Sequence, residues 1–153
     1  MTRNARIANF VFLSMPLLIL TAAGICTVAI GHGASSLWRL PFRLLCHGIP
    51  DRCLTMAGTP MPICARCTGV YVGMFLALLA FALVPFLQRM LMPAGVALLL
   101  MLPLVIDGST QAVGLRHSTN PLRLATGFLA GCSVLWAMSR VDPVKKQIVP
   151  GAF

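Results

Sequence analysis

The sequence predicts an all-α integral membrane protein: four transmembrane helices arranged as two hairpins, with a short interfacial helix in the first loop. Three observations lead there. Of 153 residues, 58% are hydrophobic and only 10% charged, whereas about a quarter are charged in an ordinary soluble domain. Acidic residues number just 3. Four apolar runs reach the roughly 17 to 20 residues that a bilayer core demands. They fall at about 10–30, 69–87, 90–106 and 122–138, and together they make one membrane domain over residues 1–153.

The first run, from Phe10 to Ile30, exceeds the apolar core of about 7 to 15 residues in a cleaved leader. It therefore reads as a retained anchor, with Ala22-Ala23-Gly24 leaving cleavage as the alternative. In the loop that follows, Ser35-Ser36 precede Leu37, Trp38, Leu40, Phe42, Leu44 and Leu45, while Arg39 and Arg43 stand four apart. That pattern predicts a short helix in the interface, with Trp38 at headgroup depth and both arginines snorkelling outwards.

The second and third runs are separated only by Gln88-Arg89 and near neighbours, a linker so short that it predicts an antiparallel hairpin. Both termini then share one side, and loops 31–68 and 107–121 share the other. Six basic residues fall on each side: Arg3, Arg6, Arg89, Arg140, Lys145 and Lys146 with the termini, Arg39, Arg43, Arg52, Arg66, Arg116 and Arg123 with the loops. The second group is interleaved with Cys, His, Asp and Asn as a site would be, which leaves the first as the topological signal. The reading is a multi-pass protein of the prokaryotic cytoplasmic membrane with cytoplasmic termini. The net charge of +9 is spread over both faces without a basic run beside stacking aromatics, which argues against a nucleic-acid partner. Attraction to anionic headgroups of the lipid bilayer explains it instead.

The chemistry concentrates in the two loops. Cys46-His47 and the Cys64-Ala65-Arg66-Cys67 motif supply four donors of the types that hold tetrahedral zinc, with Cys53 or His117 as substitutes for one of them. The same Cys-x-x-Cys spacing at a helix start serves thiol–disulfide exchange, and a plain disulfide from Cys46 or Cys53 to Cys64 or Cys67 is the structural alternative. Cys26 and Cys132, inside apolar runs, read as packing residues.

Pro103 is expected to loosen the third helix just before Asp107-Gly108-Ser109-Thr110-Gln111. Asp107, with Gln111, is the candidate for catalytic proton handling, because a carboxylate at a membrane helix end is costly to desolvate. The alternative is an ion pair that sets helix register. Asn120-Pro121 reads as an N-cap followed by a first-turn proline, and Arg52, Arg66, Asn120 and Arg123 read as the substrate-binding set for an anion.

Thr68-Gly69 with Gly73 and Thr126-Gly127 with Gly131 form an internal echo. Glycines four apart permit close helix crossing, so these faces predict either a crossing of the second and fourth helices or docking of a membrane-protein partner.

These residues resemble a known family. Cys46-His47, Pro50-Asp51-Arg52, Pro62-Ile63-Cys64-Ala65-Arg66-Cys67-Thr68-Gly69 through Tyr71 and Gly73, Asp107-Gly108 with Gln111, and Ser118-Thr119-Asn120 with Arg123, Thr126 and Gly127 are similar in order and kind to the predicted membrane proteins grouped as domain of unknown function 2085. The resemblance spans residues 40–131 and implies a polytopic membrane fold, but no activity. Two departures stand out: Cys53 where a serine is expected, and His117 where an acid is expected. Both add metal-ligand types.

Three function classes follow. One is a zinc-centred membrane enzyme acting on an anionic lipid-like substrate. A second is a thiol oxidoreductase that relays electrons from Cys46 and Cys53 through Cys64 and Cys67 to a quinone near Arg66. The third is an accessory subunit docked through its glycine faces. The histidine beside Cys46 has a role only in the metal reading, which is therefore preferred.

Overall fold

A computed structural model describes residues 3–83 and 94–138. Within them lie four α-helices, α1 (Arg3–Gly31), α2 (Ala65–Leu83), α3 (Ala94–Ala112) and α4 (Asn120–Met138). A 3-10 helix (Ser36–Leu44), a 3-10 turn (Pro50–Arg52) and an antiparallel hairpin of β1 (Cys53–Met56) and β2 (Thr59–Cys64) fill the long first loop. The segments Ser14–Gly31 and Gly95–Ala112 are each long and apolar enough to cross a bilayer. On α3, Leu98, Leu99, Leu102, Val105 and Ile106 all stand exposed, an apolar surface that lipid would solvate and water would not. The linker at Gln88-Arg89 and the basic residues Arg140, Lys145 and Lys146 lie outside the described residues.

Glycines end two of the helices. Gly33 (φ +96°) closes α1: its N–H reaches the Ile30 carbonyl at 3.0 Å and the next amide, Ala34, reaches Ala29 at 2.9 Å. Gly114 (φ +77°) closes α3 in the same way, with Gly114 on Gln111 at 3.2 Å and Leu115 on Thr110 at 3.0 Å. Left-handed backbone at these positions satisfies the last free carbonyls at no Cβ cost.

The structure corrects several expectations. Asp107 to Gln111 belong to α3 rather than to a loop, because Pro103 is absorbed within the helix. A single proline removes one backbone bond, and Ser109 and Thr110 hydroxyls bond back to the Val105 and Ile106 carbonyls at 2.7 and 2.6 Å, filling out the last turn. The segment expected to be an interfacial helix is a 3-10 helix with Pro41 inside it. At three residues per turn, positions four apart no longer share a face, so Arg39 turns inward to the Pro60 carbonyl at 3.0 Å instead of snorkelling beside Arg43. Leu37, Trp38, Leu40 and Leu44 are exposed, as an interfacial segment requires.

The hairpin is an element that helical periodicity does not reveal. Ala57 (φ 49°) and Gly58 (φ 78°) make its two-residue turn, the mirror-image type that matches strand twist. Its register sets Cys53 opposite Cys64. Ile63 and Cys53 are fully buried, and Met61 and Ile63 pack with Ala23 of α1 and with Cys46.

The glycine echo is a helix crossing. A Cβ on Gly69 would strike the Leu124 carbonyl, on Gly73 that of Phe128, on Gly127 that of Arg66, and on Gly131 that of Val70, each closer than real Cβ atoms approach. The contacts advance in the same direction along both chains, so α2 and α4 run parallel with both N-termini at one end. The two glycine faces, read from sequence either as a crossing of these helices or as surfaces for a partner protein, pack against each other.

Candidate metal centre and its arginine-lined cavity

Three chain segments bring three cysteines together. Cys46 follows the 3-10 helix, whose last turn is held by the Leu45 and Cys46 amides on the Phe42 carbonyl at 3.0 and 2.9 Å. Gly48 (φ +58°) then turns the chain tightly against the Pro62 carbonyl. Cys64 ends β2 immediately before α2, and Cys67 sits in the first turn of that helix. The sulfur atoms of Cys46, Cys64 and Cys67 all lie within 4.8 Å of one another.

Backbone amides aim at these sulfurs. Cys64 N–H donates to Cys46 Sγ at 3.2 Å, and Cys67 N–H to Cys64 Sγ at 3.5 Å, so Cys64 occupies the position where a serine or aspartate would cap a helix. Cys46 is held well below the ordinary thiol range by hydrogen bonds from the Cys64 and Cys67 side chains, then by the Cys64 and Gly48 amides, which together outweigh its burial. The centre therefore favours a thiolate.

Cys53 stands apart. Its thiol donates to the Ile49 carbonyl at 3.1 Å, and burial, followed by the nearby Cys46 and Cys64 charges, pushes it up to about 11. His47 and His117 are both exposed and neither joins the sulfur group. His47 nevertheless lines the same cavity as the three cysteines, while His117 lines a neighbouring one.

The first cavity, of about 320 Å³, is lined by Cys46, Cys64 and Cys67 together with Arg52, Arg66 and Arg123. The second, of about 430 Å³, shares Arg52 and Arg123 and adds Asn120, Gln111 and His117. Asp107 lines neither. It is 5% exposed, and its carboxylate is paired with Arg66 across the α2–α3 contact and with Arg116 at 3.7 Å. Arg66 also donates to Gln111 Oε1 at 3.2 Å. The carboxylate therefore holds Arg66, which lines the first cavity, and takes as a second partner Arg116, which sequence spacing gives no means of finding.

Asn120 is the first residue of α4, not a side-chain cap. The Arg123 amide donates to the Thr119 carbonyl at 3.0 Å. The Asn120 side chain instead donates to the Cys53 carbonyl at 3.1 Å and accepts from Arg123 Nη1 at 2.8 Å. It ties the hairpin to the fourth helix and fixes the arginine.

Residues 46–137, more than half of the chain and every residue of this centre, match a family described as "Predicted membrane protein (DUF2085)". An uncharacterized protein of Methanocaldococcus jannaschii is 36% identical over 96 residues, 62% of each chain. An uncharacterized protein of Methanothermobacter thermautotrophicus is 43% identical over 90 residues, 59% of this chain and 80% of the relative. The chain thus spans less than two thirds of the first relative. No solved structure matches.

Proposed function

The chain belongs to the DUF2085 family of predicted membrane proteins, and from that premise we propose that it is a multi-pass protein of the prokaryotic cytoplasmic membrane whose Cys46, Cys64 and Cys67 hold zinc at the membrane surface. The arginine-lined cavity beside the metal receives an anionic, lipid-like substrate. All four α-helices cross the bilayer, and the segment 32–64 and the turn 113–119 meet on the outer face with the first turns of α2 and α4 and the last turn of α3, a topology supported by the parallel course of α2 and α4.

The convergence of three sulfurs within 4.8 Å carries the metal assignment. Zinc–sulfur bonds of about 2.3 Å in a tetrahedron set sulfurs about 3.8 Å apart, a spacing that side-chain rotation reaches from here. A zinc held by these three sulfurs would take a fourth ligand: His47, which lines the same cavity, would close a structural site, whereas a water or substrate would make an open one in which the metal would supply Lewis-acid polarisation of an ester or phosphate oxygen. Arg52, Arg66 and Arg123 are placed to hold the anionic group. Asp107 positions Arg66 and does not itself reach the cavity.

The quinone-linked oxidoreductase reading needs two dithiol pairs, one on the loop and one at the helix. The arrangement is three sulfurs and one outlier, with Cys53 bonded to the Ile49 carbonyl, and this favours the metal.

Cobalt substitution tests the assignment. Cobalt-loaded wild type is expected to show intense sulfur-to-cobalt charge-transfer absorption, lowered by Cys46→Ser, Cys64→Ser and Cys67→Ser and unchanged by Cys53→Ser. Equal loss in Cys53→Ser would place the ligand set elsewhere.

A further inference from the structure

Arg123 is 6% exposed. Its Nη1 donates to Asn120 Oδ1 at 2.8 Å, while its Nε is buried without a hydrogen-bond partner. Among the described residues it makes no ion pair. Asp107 is committed to Arg66 and Arg116, and Asp51, which is exposed and borders the second cavity, pairs with neither Arg52 nor Arg123. A buried guanidinium that no carboxylate pairs with directly is expensive; the charges of Asp107 and Cys64 reach Arg123 only from beyond ion-pair distance, and here it lines a cavity instead of being sealed in protein.

Arg52 completes the pair. It is half-buried on the 3-10 turn after Ile49, and with Arg123 it lines both cavities. A group seated at the junction is therefore within reach of both guanidiniums. The first turn of α4, in which Arg123 lies, adds the positive end of a helix dipole.

We infer that Arg52 and Arg123 bind a doubly charged phosphate group, as inorganic phosphate or as the phosphomonoester headgroup of a lipid. Two guanidiniums without carboxylates call for two negative charges. A carboxylate would leave one uncompensated, whereas a phosphate dianion neutralises both and offers oxygens to both planar forks. Asn120 is a positioning residue, holding Arg123 from one side while anchored to the Cys53 carbonyl on the other. This deepens the reading of the cavity as an anion site and does not depend on the metal.

The test is titration calorimetry of inorganic phosphate into the full chain in phosphatidylcholine nanodiscs, alongside thermal melts in nanodiscs with and without phosphatidic acid. Zinc is measured on every sample, so loss of the metal is read separately from loss of the anion. Phosphate binding weakened about tenfold or more by Arg52→Gln and by Arg123→Gln, the scale of one lost charge-assisted contact, and unchanged by Arg43→Gln, supports the site with free phosphate as its ligand. Stabilisation by phosphatidic acid alone, lost in Arg52→Gln, supports it with a lipid headgroup. Because Arg123 is buried, Arg52→Gln decides the matter if Arg123→Gln does not fold. Binding of neither ligand overturns the proposal, as does phosphate binding that survives Arg52→Gln but disappears in Cys64→Ser.

Discussion

Gly127→Leu is expected to separate α2 from α4 and leave no folded, monodisperse protein in detergent. The position has no slack: a Cβ there meets the Arg66 carbonyl and, at 3.2 Å, the Val70 amide nitrogen, both backbone atoms that cannot rotate away. Overpacking a core ordinarily costs about 1–3 kcal/mol. Here the intruding group pushes a whole helix, and retreat of α2 also opens the matching contacts at Gly69, Gly73 and Gly131. Without a hydrophobic drive between helices in lipid, close backbone packing supplies much of their association. Gly95→Leu, where a Cβ meets nothing within 4 Å, is the control and should purify like wild type. Size-exclusion profiles and thermal melts of the two variants decide it; if they coincide, the crossing does not hold this protein together.

Asp107→Ala is the second large expected effect. The carboxylate is 5% exposed and neutralises Arg66, which is 22% exposed. Removing one member of a buried pair typically costs about 3–5 kcal/mol, because the other charge is left uncompensated. A paired change to Arg66→Met with Asp107→Leu is expected to recover most of that stability, since apolar groups of similar volume often replace a buried pair without loss. It would also remove Arg66 from the cavity wall. Asp107→Asn separates positioning from proton transfer: it should lower the melting temperature, with Gln111 still holding Arg66. An Asn variant as stable as wild type but devoid of ligand turnover would make Asp107 a catalytic group after all.

The helices were the most legible part of the chain. Among the described residues, α1 to α4 overlap the four apolar runs, and the run ends at 84–87 and 90–93 lie outside those residues. The ends are harder. Asp107 to Gln111 look like a loop by polarity, yet the backbone stays helical until Gly114 can adopt positive φ, so the stop signal was a glycine and not the preceding proline. The hairpin carries no sequence signal, because Pro60 and Pro62 lie within β2 and the turn is Ala57-Gly58, without the Asn-Gly or Asp-Gly that usually announces one.

Within the site, residue types were legible and pairings were not. Cys46, Cys64 and Cys67 stand out by spacing, but Cys53, which the β1–β2 register sets opposite Cys64, is separated from them only by the turn of its thiol to the Ile49 carbonyl. Asn120 has the composition of a cap, and its actual partners, Cys53 and Arg123, lie 67 and 3 residues away. Tertiary contact decided between two local roles that the same side chain can play.

Elemental analysis of detergent-purified protein, prepared without a metal-binding tag and paired with a free-thiol count under denaturing conditions, decides whether Cys46, Cys64 and Cys67 hold one metal. About one zinc per chain is expected, the stoichiometry of a single tetrahedral centre, lost in Cys64→Ser and kept in Cys53→Ser. Protein without metal, with thiols missing in pairs, would contradict it and assign the cysteines to disulfide chemistry.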